Sequence, residues 1–244
     1  MTARLRILGD ERALELAGLA APAQGAPGGP DGPTVHLGPT TEPADVIWLS
    51  TPHPGEGRTP DGGVTGPARV IATGGRGLWG RAPWPARDEL FELPPPPAAR
   101  ALVVSADPER RGQVLEKLAA RGLPAAGATA LSAADLAAAS VVALLGDAGA
   151  ATPEAPAAAA AMPGEAPAVL AARRVLLAPR CQTTFGLLPG TDHLAFGTDD
   201  DVVQYADAVL THPESFAPLQ ALGARTAERH RASLVYARLA DELE

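Results

Sequence analysis

Arg180 stands just past an apolar run, Val175 to Ala178, and its planar guanidinium fork is shaped to take the paired oxygens of a diphosphate. A strand-end arginine is equally at home in plain solvent. Glu165 follows Met162-Pro163-Gly164 at a predicted helix start, where a carboxylate either meets a ligand or complements the positive end of the helix dipole. Ser105 to Asp107 follow a predicted strand, Ala101 to Val104, a position from which a hydroxyl or a backbone N–H reaches bound ligand in parallel-sheet folds. Capping of the next helix accounts for the same residues. Gly74, Gly75 and Gly77 follow another predicted strand and would let the backbone approach a phosphate. No GxGxxG with a helix behind it is present, so a structural turn is the simpler reading. Trp79 and Trp84 stand out in a chain that is only 4% aromatic. They either line a cleft where a sugar face would stack or plug an interface between domains.

Other groups carry less. Asp199, Asp200 and Asp201 are consecutive and so point in different directions on a helix, which makes a good helix N-terminus rather than a metal site. His36, His53, His193, His212 and His230 show no ligand spacing, and no metal or cofactor is expected. No Ser-His-Asp or Cys-His arrangement emerges, Cys181 has no motif around it, and no catalytic residue is assigned.

The elements that must position these residues are short apolar runs bounded by Gly and Pro, as expected of buried parallel strands: Arg4 to Leu8, Thr34 to Leu37, Asp45 to Ser50, Arg69 to Thr73, Ala101 to Val104, Val141 to Leu145 and Val175 to Ala178. Helical patterns lie between them. One covers Glu11 to Ala20; a second starts at Asp107-Pro108 and stops at Gly122; a short one follows the loose capping box at Ser132 to Asp135. Glu165 to Ala172 and the stretch opened by Thr198 follow, the latter ended by His212-Pro213. Val235, Leu239 and Leu243 at i, i+4 and i+8 predict an amphipathic terminal helix over Ala224 to Leu243. Residues 21–33 and 51–67 are loop compositions, and Pro94 to Pro97 forces an extended polyproline segment. Strand and helix in alternation mean parallel sheets wrapped by helical crossovers, with ligands at the carboxyl ends of the strands. The domain boundary is placed at the prolines, giving units 1–96 and 97–244.

Composition narrows the class. The chain has 244 residues, 46% hydrophobic, with net charge −8, which excludes a wholly disordered chain and offers no basic face for nucleic acid. One lysine against nineteen arginines and an excess of Ala, with 26 Gly and 26 Pro, is what a GC-rich genome produces, so Ala runs carry little. The single cysteine, the absence of a signal-like start at Met1 to Asp10 and the absence of a membrane-span-length apolar run lead to the expectation of a cytoplasmic protein with no membrane span.

The order of features in the last third is more specific than any one of them. Ala168 to Arg180 (AVLAARRVLLAPR), then Phe185-Gly186-Leu187-Leu188-Pro189-Gly190-Thr191-Asp192-His193-Leu194-Ala195-Phe196, an acidic helix start, His212-Pro213-Glu214 and Glu228-Arg229-His230 resemble the end of a GT-B glycosyltransferase. More narrowly, residues 98–240 are similar to the bacterial CgeB-type, group 1-like enzymes. That resemblance implies two Rossmann-like domains, the N-terminal one reduced to about 95 residues and holding the acceptor, the C-terminal one holding a nucleotide-sugar donor. In that family a helix Glu grips the donor ribose and basic residues neutralise the departing diphosphate. Here the Glu position is Ala168 and the glycine after it is Arg173, leaving Glu165 one turn earlier as the nearest carboxylate. The resulting expectation is a glycosyltransferase that moves a sugar from a nucleotide-sugar to an unknown acceptor. Donor binding falls to Ser105, Gly164, Glu165 and Arg180, with Gly74, Gly75 and Trp79 lining the cleft. The alternative is a degenerate, non-catalytic binding or scaffold protein that keeps the fold and has lost the donor site.

Overall fold

Val, Leu and Ala alternate along the strands of the C-terminal half so that successive side chains enter opposite faces of a sheet, and two separate cores result. A computed structural model describes residues 85–146 and 158–243, together with five strands before them: β1 (Arg6–Gly9), β2 (Thr34–Leu37), β3 (Val46–Leu49), β4 (Arg69–Ala72) and β5 (Gly80–Arg81). These five form a parallel sheet in the order β1-β2-β3-β4-β5, with Val46 opposite Val35 on one side and Arg69 on the other. The order runs in one direction, so it contains no reversal of the kind at which open α/β sheets bind ligands. The predicted strands at Thr34 to Leu37, Asp45 to Ser50 and Arg69 to Thr73 lie here. The predicted helix Glu11 to Ala20, both loops, Gly74, Gly75, Gly77, Trp79 and Trp84 lie outside the described residues.

The second sheet contains β6 (Ala101–Val104), β7 (Ala125–Ala128), β8 (Val141–Leu144), β9 (Ala158–Ala161), β10 (Val175–Thr183) and β11 (Leu194–Phe196). Its order is β11-β10-β8-β6-β7, every pair parallel, and β9 joins only the far half of β10. The chain steps outward from β6 to β7, then returns past β6 to β8, so the winding reverses between β6 and β8. The architecture is therefore α/β and Rossmann-like.

Six described helices cover the two faces: α1 (Pro108–Ala120), α2 (Ala133–Ala138), α3 (Ala166–Ala171), α4 (Asp199–Thr211), α5 (Ala217–Ala227) and α6 (Ala232–Leu243). Ala101, Val103, Val141, Ala143, Val175 and Leu177 share one core with Val114 and Leu118 of α1 and Val202, Val203, Ala206 and Val209 of α4. Leu102, Val104, Val142, Leu144, Leu176 and Ala178 share the other with Leu136 of α2, Ala166, Ala168, Val169, Leu170 and Ala171 of α3 and Ala227 of α5. All six residues of α3 are buried, and their small side chains let α5 approach. The approach is tight at Gly223, where a Cβ would lie 2.9 Å from both Leu170 Cδ2 and the Asp192 carbonyl oxygen.

Helix boundaries follow local chemistry. Asp107 accepts from the N–H groups of Glu109 and Arg110, with Pro108 in the first turn, and Ser132 accepts from Asp135 N–H. Thr198 and Asp201 close a reciprocal capping box at α4.

The structure corrects two expectations. The predicted single helix over Ala224 to Leu243 is two helices, because Arg231 is extended (φ −58°, ψ 131°) and its flanking backbone groups bond Ala86: Ala86 N–H donates to the His230 carbonyl at 2.7 Å and Ala232 N–H to the Ala86 carbonyl at 2.8 Å. Arg231 also stacks over Phe91, 4.0 Å from the ring centre. Residues 86–93 thereby pack against the second sheet's core through Ala86 and Leu90. The predicted strand Val175 to Ala178 continues to Thr183, since β9 supplies partners for its far half. Leu194–Phe196, which carries no strand expectation from the sequence, forms β11.

Helix α3 ends with Arg173 N–H donating to the Leu170 carbonyl at 2.9 Å and Arg174 N–H to the Val169 carbonyl at 3.1 Å, a Schellman pattern with exposed Arg173 at φ +55°. A side chain is disfavoured in that left-handed conformation. Arg173→Gly is expected to raise stability by about 1 kcal/mol, read as a higher denaturant midpoint at unchanged slope; a lower midpoint would show that the Arg173 side chain contributes more than its backbone costs.

Candidate functional site

All strands of the second sheet are parallel, so their carboxyl ends share one rim. There Leu145 N–H donates to the Val104 carbonyl at 3.0 Å, setting the ends of β6 and β8 side by side. Gly146 follows, and a Cβ on it would stand 3.7 Å from Pro179 Cγ and 3.8 Å from Pro163 Cγ. Segments leading to Ser105, to Gly164 and Glu165, and to Arg180 therefore gather around Gly146 at the winding reversal.

Within that gathering the side chains take separate tasks. Ser105 is buried, its hydroxyl oxygen accepts from Asp107 N–H at 3.1 Å, and its carbonyl accepts from Arg111 Nη1. It is thus tied into the start of α1. Gly164 is buried, and Glu165 occupies the N-cap of α3 without a side-chain capping bond. Arg180 is exposed, and its guanidinium lies 3.7 Å from where a Gly197 Cβ would stand, near the Asp201 carboxylate. Its guanidinium makes no hydrogen bond to any described residue. Its neighbourhood is the β11–α4 turn, whereas Glu165 opens α3. Ala168, at the position the resemblance gives to a ribose-binding Glu, is only 3% exposed, inside the core. Of the adjacent arginines, Arg173 is exposed and Arg174 is buried, donating to the Leu136 carbonyl at 2.8 Å and the Pro94 carbonyl at 2.7 Å. Gly74, Gly75 and Trp79 lie outside the described residues.

The three aspartates opening α4 diverge. Asp199 is buried against Arg110, whose Nη2 lies 2.7 Å from Oδ1, while Arg110 Nη1 donates to the Leu145 carbonyl at 3.2 Å. Asp200 pairs with Lys117 in solvent at 2.7 Å. Asp201 accepts from the N–H groups of Gly197 and Thr198 at 2.8 and 2.9 Å. Burial alone would raise the Asp201 carboxyl, but these bonds, the Thr198 hydroxyl and the Arg180 charge hold it below the usual range. Among the described residues no group of three His, Cys, Asp or Glu side chains is placed to hold a metal ion. Arg110 was not singled out from the sequence. Its signal was a cation in the first turn of a helix, where the dipole disfavours it unless a buried anion compensates.

Beneath the rim, the 184–193 segment is fixed by Asp192, which accepts from Leu188 N–H at 2.7 Å and from the Thr226 hydroxyl at 2.8 Å. Arg229 Nη2 donates to the Gly186 carbonyl at 2.9 Å. His193 is 1% exposed with Nδ1 unbonded, and burial pushes its pKa down to about 4 despite the Asp192 charge. His230 is likewise pushed down to about 4, by burial first and by the Arg229 and Arg238 charges, against a backbone bond at Phe185. The Cys181 thiol donates to the Pro179 carbonyl at 2.9 Å, and burial raises its pKa to about 11, which leaves it a poor nucleophile.

No protein-family model matches the chain, and no curated protein matches it significantly. Among the described residues no helix is long and apolar enough to cross a membrane.

Two outcomes follow from these environments. Asp199→Asn removes the carboxylate charge that Asp199 sets against buried Arg110 and is expected to cost about 3 kcal/mol, whereas Asp200→Asn stays within about 0.5 kcal/mol; comparing their urea midpoints checks this. A histidine whose native pKa lies below its unfolded value of 6.5 stabilises fully above pH 6.5 and loses that contribution as pH falls toward 4. For His193 the loss by pH 5 is about 2 kcal/mol. His193→Gln should therefore flatten the fall in stability between pH 7 and pH 5, and an unchanged slope would contradict the assignment.

Proposed function

We propose that the chain is a glycosyltransferase-like protein of the GT-B kind, similar to the CgeB-type group 1-like enzymes, with its nucleotide-sugar donor held by the C-terminal unit and an acceptor by the N-terminal one. The observation that carries this reading is the rim around Gly146. It lies at the winding reversal of a Rossmann-like sheet, where such folds bind nucleotides, and beside it Arg180 presents a guanidinium free of hydrogen bonds to described residues. A diphosphate leaving a sugar gathers negative charge, and a planar cation next to it stabilises that charge as it develops. In this reading Glu165, at the N-cap of α3, is the carboxylate that meets the ribose hydroxyls. Gly164 lets the backbone pass close to the ligand, and Ser105 holds the β6–α1 turn in shape. The two parallel sheets, one before residue 96 and one after, are the counterparts of the two GT-B domains in this reading.

One observation favours the non-catalytic alternative. Ala168 is sealed in the core, and α3 itself carries no acidic residue. A scaffold or binding protein would keep the fold and the Arg110–Asp199 fastening without needing the donor carboxylate.

A melting-temperature titration against uridine, guanosine, thymidine and cytidine diphosphates and their hexose conjugates tests both, because a ligand that binds the native state raises its melting temperature by mass action. The expected result is a saturable rise with one base, lost in Arg180→Ala, whose own melting temperature without ligand is unchanged. A flat panel overturns the donor site. A saturable rise with no hydrolysis or transfer of the bound sugar selects the binding protein over the enzyme.

A further inference from the structure

Residues 228–233 return beside residues 86–91, and the contact between them is narrow. The two backbone bonds of Ala86 are joined there by Asp88 Oδ1, which accepts from Ser233 N–H at 3.2 Å, and by the Arg231 guanidinium over the Phe91 ring. Beyond that contact α6 buries little. From Ala232 to Arg238, Ala232 alone is buried; Val235 and Tyr236 are half-buried on the core shared by α2 and α3, and Ser233, Leu234, Ala237 and Arg238 are exposed.

This shallow packing nevertheless encloses polar atoms. His230 Nε2 and the Tyr236 hydroxyl are sealed from solvent, and neither has a hydrogen-bond partner among the described residues. An enclosed polar atom without a partner is unfavourable, and the penalty is relieved as soon as undocking lets water reach it. The same segment clamps a tight turn beyond β10. The His230 ring bonds the Phe185 backbone, Arg229 Nη2 donates to the Gly186 carbonyl at 2.9 Å, and Leu187 N–H closes the turn on the Thr184 carbonyl at 2.9 Å. Phe185 and Gly186 have φ of +53° and +76°, a conformation that disfavours a bulky side chain such as Phe185. Few buried contacts, two enclosed polar atoms and a left-handed Phe185 all favour the undocked state.

We propose that residues 228–243 form a releasable clasp that opens as one piece while β6, β8 and β10 stay folded, and that its opening frees the 184–187 turn at the carboxyl end of β10. Segments with few buried contacts open at lower free energy than the core they rest on. On opening, the turn loses both Arg229 and His230. Asp192 still accepts from Leu188 N–H and the Thr226 hydroxyl, so the movement stops at the turn. The clasp does not depend on the glycosyltransferase reading.

Amide hydrogen exchange of the full chain, read by mass spectrometry, tests this. Peptides within 228–243 are expected to exchange roughly a hundredfold or more faster than those of β6 and α1. Tyr236→Phe deletes the enclosed hydroxyl and is expected to slow exchange over 228–243 roughly fivefold or more. Asp88→Ala removes the acceptor of Ser233 N–H and is expected to speed exchange over 228–243 and over 184–187 together. In both variants the β6 and α1 peptides should keep their rates, which shows that the core is folded. Exchange over 228–243 as slow as in the core overturns the clasp, since the segment would then open only with the whole unit. Faster exchange in Tyr236→Phe also overturns it, because the hydroxyl would then be bonded when α6 is docked. If Asp88→Ala leaves 184–187 unmoved, the link from the clasp to the turn fails.

Discussion

A guanidinium sealed from water has to find anionic and carbonyl oxygens inside the protein, and Arg110 imposes that requirement on three segments at once. Its partners are the Asp199 carboxylate at the head of α4 and the Leu145 carbonyl at the end of β8, while its own backbone belongs to the first turn of α1. Desolvating a cation costs several kcal/mol, so the arrangement is stable only with those partners in place. The first turns of α1 and α4 and the exit from β8 are therefore held in one relation. The rim around Gly146 inherits its shape from this fastening.

The same economy of burial decides which polar groups remain chemically available. His193 and Cys181 are desolvated into their neutral forms, and Asp192 is consumed in anchoring the 184–193 segment to α5. Ser105 and Arg111 secure the start of α1. Of the groups around the rim, Arg180 keeps an exposed charge, while Oδ2 of the neighbouring Asp201 accepts from both the Gly197 and Thr198 N–H groups. Among the described residues the rim thus presents the exposed Arg180 cation and backbone at strand ends.

Legibility varied with how local the determining interaction was. Thr34–Leu37 and Ala101–Val104 are strands over the limits expected from their apolar runs, and α1 begins where Asp107-Pro108 places it. Strands β7 and β9 had no such signal. Their residues, AAGA and AAAA, show neither alternation nor β-branched enrichment, and pairing along β6 and β10 is what makes them strands. The terminal helix was misread for a related reason: its apolar spacing is helical on both sides of Arg231, and only the distant Ala86 interrupts it.

The sequence by itself determined the alternation of strand and helix in the second unit, the helix starts at Asp107, Ser132 and Thr198, and the divergence of three consecutive aspartates, because each depends on geometry within a few residues. Tertiary structure alone decided the extension of β10, the break at Arg231, the burial of Arg110 and Arg174, and which side of the rim Arg180 faces. Those outcomes rest on partners tens of residues away along the chain, and no local period or cap encodes a hydrogen bond whose other half is supplied only when the sheet closes.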